Sequence, residues 1–266
     1  MNMTKVFSPF GVDLFCFGKK FLVYNLISRN LKTKYHRSVL GILWTLLSPL
    51  SIAIIYYFSF KLVLKVQQPH YLGLLISCVL PWGFVAQTMN EGSDSILGNW
   101  GLLSKVPIPL QVFPFVGALT NLITLFLSIP VLLGVALFTD CPLNGSFLFI
   151  PLLYGLLFLM VYSLSYTLAV LSVFFRDLKH VTGIVLQIWF YTTPVIYHVK
   201  MLPSQFRWLL YANPVAPLFA SLQGIVTEGA YPNPFHLLTS FLWALGLILM
   251  VAALSKYYFK QVVEKI

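Results

Sequence analysis

The 266 residues are 59% hydrophobic and only 9% charged, with a mean hydropathy of +0.86. This is far from the roughly quarter-charged make-up of soluble domains, so the chain reads as a polytopic membrane protein without a soluble catalytic domain. The net charge of +10 comes from Lys and Arg at the ends of apolar runs, which excludes a nucleic-acid partner and points to cytoplasmic flanks and anionic membrane lipids.

Residues 1 to 20 carry too much Pro, Gly and charge to span a bilayer and are expected to form a cytoplasmic tail, with no cleaved signal peptide. From Lys20 to Arg37, the recurrence of Tyr24, Ile27, Leu31 and Tyr35 predicts an amphipathic helix lying on the headgroups, with Leu22 and Leu26 on its polar side. Arg29, Lys32, Lys34 and Arg37 precede the first uncharged run with no acid among them, which sets the N-terminus inside.

Val39 to Phe60 has no charge over 22 residues, about 33 Å of helix, enough to cross a hydrocarbon core. Tyr71 to Asn90 is the second expected span, with Pro81 and Gly83 inside it. Between Glu91 and Pro109 the pattern predicts a short flat helix, capped by Ser93 or Asp94, with Ile96, Trp100 and Leu103 on one face and Lys105 at its end. Further spans are expected over about 111–138, 147–174, 181–199 and 235–254, with the charged turn Arg176, Asp177, Lys179 and His180 before the fifth.

Trp208 to Thr227 is also uncharged over 20 residues, and charge asymmetry decides its status. With six spans the cytoplasmic side holds 13 Lys and Arg against 4 outside; with seven the split is 10 against 7. Six spans are therefore expected, with 208–227 a re-entrant segment broken at Pro214 and Pro217. The expected fold is all-α and integral to the membrane. Residues 1–38 form the tail and interfacial helix, and 39–266 the transmembrane domain.

The chain has no phosphate-binding G-x-x-x-x-G-K-[ST] motif, so no cofactor is expected in it. His36, His70, His180, His198 and His236 do not fall at metal-ligand spacing, and Cys16, Cys78 and Cys141 are too scattered for a metal cluster. The spans over 111–138, 147–174 and 235–254 contain no Asp, Glu, Lys or Arg, which argues against an ion-coupled carrier, and no acidic pair offers general acid–base catalysis. Polar positions such as Thr120, Asn121, Thr124, Tyr166 and Gln187 read first as interhelical hydrogen bonds and second as a pathway lining. Most aromatics belong to interfacial belts, and a minority, among Tyr56, Tyr57, Trp82, Trp189, Tyr191 and Tyr197, could stack on sugar rings in a channel. The basic cluster attracts anionic lipid or grips a lipid-linked diphosphate.

Five motifs in order resemble the permeases of polysaccharide ABC exporters of the ABC-2 type. They are Lys34-Tyr35-His36-Arg37-Ser38 leading through Leu40-Gly41-Ile42-Leu43-Trp44 to Pro49; Leu103-Ser104-Lys105-Val106-Pro107; Phe174-Phe175-Arg176-Asp177-Leu178; Pro194-Val195-Ile196-Tyr197; and Asn213-Pro214. The resemblance implies a homodimeric transport subunit, not an enzyme, in the bacterial cytoplasmic (inner) membrane, with both termini inside. It also implies a separate ATPase subunit dimer that holds ATP and Mg. The implied substrate is an undecaprenyl-diphosphate-linked glycan, O-antigen for lipopolysaccharide foremost, or capsule or teichoic acid. The interfacial helix is implied to act as a gate that places Arg29, Lys32, Lys34 and Arg37 near the diphosphate. The role of coupling to the ATPase falls on Asp94, Ile96, Trp100, Leu103, Lys105, Arg176 and Asp177. A permease for small lipids or drugs, or an embedded enzyme acting on lipid-linked sugars, are the competing readings.

Overall fold

The computed structural model describes residues 16, 19–35, 41–103, 108–175 and 177–265, apart from the side chains of 35, 42, 45 and 258–265. Among them every regular element is helical. The helices are α1 (Lys20–Tyr35), α2 (Trp44–Tyr57, continued by π-helical turns to Val63), α3 (Tyr71–Asp94), α4 (Trp100–Leu103), α5 (Val112–Phe126) and α6 (Ile129–Phe138). They are followed by α7 (Ile150–Phe174), α8 (Leu178–Thr192), α9 (Trp208–Ala212), α10 (Ala216–Glu228) and α11 (Pro234–Lys265).

Helix α3 is the hub, in contact with α2, α5, α6, α7, α8 and α10. Its most apolar stretch is 78% buried, whereas that of the α2 span, Leu46–Val63, is 6% buried and faces outward. Small residues explain the difference. Without a hydrophobic drive between helices in lipid, close backbone approach and interhelical hydrogen bonds decide which helix is central. At Gly92 of α3 an added Cβ would lie 2.0 Å from Ser165 Oγ and 3.1 Å from Ser165 Cα on α7, and Ser165 Oγ donates to the Thr88 carbonyl at 3.2 Å. Gly73 meets Cys141 and Val226 in the same way at the opposite end.

Among the described residues, five helices are long and apolar enough to cross a membrane: Leu46–Val63, Tyr71–Asp94, Val112–Phe138, Gly145–Phe174 and Pro234–Tyr257. Helix α8, expected to run to Val199, ends at Thr192, and its 15 residues rise only about 22 Å. From Thr193 to His198 the chain is not helical and leads out of the bundle to the charged residues Lys200 and Glu228.

The segment read as re-entrant is a helix pair, Ser204–Ala212 and Ala216–Glu228, bent by 110° at Asn213. The bend lies deep, since Asn213 accepts a 2.9 Å hydrogen bond from Trp189 Nε1 and the Phe219 ring meets Trp82 near the middle of α3. The exit lies at the surface, where Gly229, in the left-handed region at φ 63°, is held by Asn144 Nδ2 through its carbonyl at 2.7 Å.

Two expectations need correction. Ser93 and Asp94 do not cap a separate helix: α3 continues through Asp94, and Ser93 Oγ donates backward to the Asn90 carbonyl at 2.7 Å. Nor does α1 bury the expected stripe. Val23 and Leu26 are buried and Tyr24 is 70% exposed, because the face of α1 that carries Val23 and Leu26 is the one that packs against the bundle at α5.

Candidate functional site

A cleft of about 780 Å³ opens between the end of α1, the length of α2, and helices α3, α5 and α8. Along α3 its lining runs from Asn90 and Gln87 to Trp82 and Val79, about 16 Å of helix. Lys34 and Asn121 join the polar end; Tyr56, Phe190 and Tyr191 join the aromatic end. Lys34 is the single charged side chain among the described residues that line it.

The polar end is a closed network. Lys34 Nζ donates to Asn121 Oδ1 at 3.0 Å and approaches Glu91 Oε1 at 3.4 Å. Gln87 Nε2 donates to Glu91 Oε1 at 2.9 Å, and Asn121 Nδ2 donates to Glu91 Oε2 at 2.8 Å and Thr88 Oγ1 at 3.2 Å. Asn121 and Thr88 are buried, so both the donors and the acceptor of this amide are used inside the protein.

Of the four cations singled out in the sequence, the three that the structure describes do not share one face of α1. A helix turns about 100° per residue, which sets Lys34 roughly 140° from Arg29 and 200° from Lys32. Arg29 and Lys32 are accordingly exposed on the outer face while Lys34 turns inward. Arg37 lies outside the described residues, as does His36.

The aromatic candidates also separate. Tyr56 stacks on Phe190 with centroids 5.8 Å apart, Trp82 meets Phe190 edge-on at 5.6 Å, and Tyr191 meets Phe190 at 5.2 Å. These four rings are one surface of the cleft, with Phe190 at its centre. Trp189 stands behind it, edge-on to Trp82 and bonded to Asn213. Tyr57 stacks on Tyr71, and Tyr197 donates to the Tyr191 carbonyl at 3.4 Å; neither lines the cleft.

The two stretches read as coupling elements meet. Lys179 Nζ lies 2.9 Å from Asp94 Oδ2, joining the start of α8 to the end of α3. Ile96 is fully buried and anchors the stretch, Leu103 is half-buried, and Trp100 is 41% exposed. Asp177 precedes α8 and is exposed; Lys105 and Arg176 lie outside the described residues.

At the opposite end of the bundle, Gln223 is buried and grips the non-helical segment after α8. Its Nε2 donates to the carbonyls of Pro194 at 2.7 Å and Tyr197 at 2.9 Å, and its Oε1 accepts from Val199 N–H at 3.0 Å. Beside it the buried His198 accepts at Nδ1 from Lys200 N–H and sets Nε2 3.4 Å from Glu228, which also pairs with Lys200. Burial, helped by Lys200 and opposed by Glu228, holds the His198 pKa below its ordinary value.

Sequence reading missed Glu91, Gln87 and Gln223 as organising residues. The spacing Gln87–Glu91 (i, i+4) at the end of an apolar run was the available signal for the first two.

Comparison with known proteins gives consistent relatives. The family model described as ABC-2 type transporter matches residues 22–227. The O-antigen export system permease protein RfbA of Klebsiella pneumoniae is 30% identical over 247 residues, covering 91% of this chain and 94% of its own. The protein of the same name from Myxococcus xanthus is 32% identical, covering 88% and 90%. The polysialic acid transport protein KpsM of Escherichia coli is 22% identical, covering 87% and 93%.

Proposed function

The chain belongs to the ABC-2 type transporter family, and we propose that it is the membrane permease for export of a polysaccharide, specifically an undecaprenyl-diphosphate-linked O-antigen, across the bacterial cytoplasmic membrane. The reading rests on near full-length similarity to O-antigen export permeases. The chemistry of the cleft supports it: one lysine at a polar mouth suits an anionic phosphate group, and four aromatic rings beyond it offer flat faces to sugar or prenyl chain.

In this proposal two copies of the chain assemble with a separate ATPase dimer, which binds ATP and Mg. Both termini lie in the cytoplasm. The lipid diphosphate enters laterally beside α1, near Arg29, Lys32, Lys34 and Arg37. The ATPase acts on the surface around Asp94, Ile96, Trp100, Leu103 and Asp177, where Lys105 and Arg176 also fall in sequence. Through the Asp94–Lys179 pair that push reaches both α3 and α8, the helices that carry Trp82, Phe190 and Tyr191 of the cleft.

The test is replacement of Arg29, Lys32, Lys34 and Arg37 together by Gln in the producing bacterium. Surface polysaccharide is expected to disappear while the ATPase still co-purifies with the permease. Normal surface polysaccharide in this variant refutes the entry route, and its persistence after deletion of the whole chain refutes the function.

A further inference from the structure

At the polar end of the cleft, donors from three helices converge on one carboxylate. Lys34 comes from α1, Gln87 from α3 and Asn121 from α5, and all reach Glu91 at 2.8 to 3.4 Å. The three donors line the cleft; the carboxylate they hold does not. Asn121 is fixed, since its carbonyl oxygen takes Lys34 and its amide is shared with the buried Thr88. The Glu91 side chain is 44% exposed, so it can leave toward solvent without being stranded in apolar surroundings. A carboxylate and the edge of a phosphate present the same pair of acceptor oxygens to such donors.

We propose that Lys34, Gln87 and Asn121 form an anion site for a phosphate or diphosphate group, and that Glu91 is its built-in counter-ion, displaced when that group enters. This inference rests on the reading of the cleft as the entry for a lipid-linked anion. It adds Gln87 and Asn121 as binding residues and makes Glu91 a competitor instead of a contact. The exchange also transfers the tether of α1: Lys34 leaves a partner on α3 for one on the incoming molecule.

The full-length chain in phosphatidylcholine nanodiscs can be titrated with farnesyl diphosphate, followed by Trp fluorescence because Trp82 lines the cleft. Glu91→Ala and Glu91→Gln are expected to bind about tenfold more tightly than the parent, the scale of one charge-assisted hydrogen bond no longer contested. Lys34→Gln is expected to bind at least about tenfold more weakly. Glu91→Gln keeps the side-chain volume, so the comparison stands if Glu91→Ala fails to assemble. Unchanged or weaker binding by both Glu91 variants overturns the counter-ion role. That result leaves polysaccharide export, scored separately on the cell surface, untouched. Competition by inorganic pyrophosphate, enhanced in the Glu91 variants, supports a diphosphate site. Competition by phosphatidylglycerol with none from pyrophosphate overturns it in favour of an ordinary lipid headgroup.

Discussion

Replacing Gln223 by Leu tests how the outer end of the bundle is held. The change keeps side-chain size roughly constant but removes three hydrogen bonds, to Pro194 O, Tyr197 O and Val199 N–H. Interhelical hydrogen bonds in membrane proteins average about 0.6 kcal/mol each, which sets a floor near 2 kcal/mol for three. Because Gln223 is fully buried, the three backbone groups lose their partner where water cannot substitute, and a buried unsatisfied group costs about 1–3 kcal/mol. A total of about 2–4 kcal/mol follows, or a fall of about 5–10 °C in melting temperature for a chain this size. Gln223→Glu is the sharper variant. It retains an acceptor for Val199 N–H but points a carboxylate at two carbonyls, so it should cost more than Leu. The assay is thermal unfolding in detergent, together with surface polysaccharide as a measure of export. A Leu variant that melts within about 1 °C of the parent refutes the reasoning, since the triple contact would then contribute less than one ordinary hydrogen bond.

Three other outcomes are expected. Gly92→Leu drives a side chain into Ser165 on α7 and should destabilise by about 1–3 kcal/mol or prevent assembly, as read by monodispersity and melting; an unperturbed variant contradicts the close approach of α3 and α7. Asp94→Lys sets two lysines side by side and should reduce glycan-stimulated ATPase activity in the assembled transporter, with Asp94→Lys/Lys179→Asp restoring it. The exposed pair contributes no more than about 1 kcal/mol, so the folded state should survive in both, and failure of the double variant to recover counts against a coupling role. For His198, a folded-state pKa below its unfolded value means the unfolded chain takes up the proton first. Its stabilising contribution is therefore complete above about pH 6.5 and is lost as pH falls toward the lowered value. His198→Gln should flatten the melting-temperature profile below that pH, and an identical profile discounts this histidine.

The membrane class and the helical character were legible in the sequence because both follow from composition and local pattern. An uncharged run as long as Val39 to Phe60 can satisfy its own backbone groups in hydrocarbon as a helix, and it is about twice the length of a barrel strand. The broken segment at Asn213-Pro214 was legible because Pro removes a backbone donor and kinks or breaks a helix, although α3 runs through Pro81 unbroken. Helix ends were less so: α8 stops at Thr192 where Asn213 takes up Thr193 Oγ1 at 2.9 Å, a partner 20 residues away.

Side-chain roles were the least legible. Periodicity placed Leu22 and Leu26 of α1 on the polar side, yet the helix buries Leu26 and Val23, because it packs against α5. Sequence grouped Lys34 with Arg29 and Lys32 by charge, and could give an isolated Asn121 only the general role of interhelical bonding. Charge, length and apolar period are properties of a segment and survive any packing, so they determined by themselves that this is a multi-span helical membrane protein. Which lysine faces the cleft, which rings line it and which glutamate closes it depend on helices α1, α3, α5 and α8 meeting at one place. Those pairings join residues as far apart in sequence as Lys34 and Asn121 or Tyr56 and Phe190, and were decided by the tertiary structure alone.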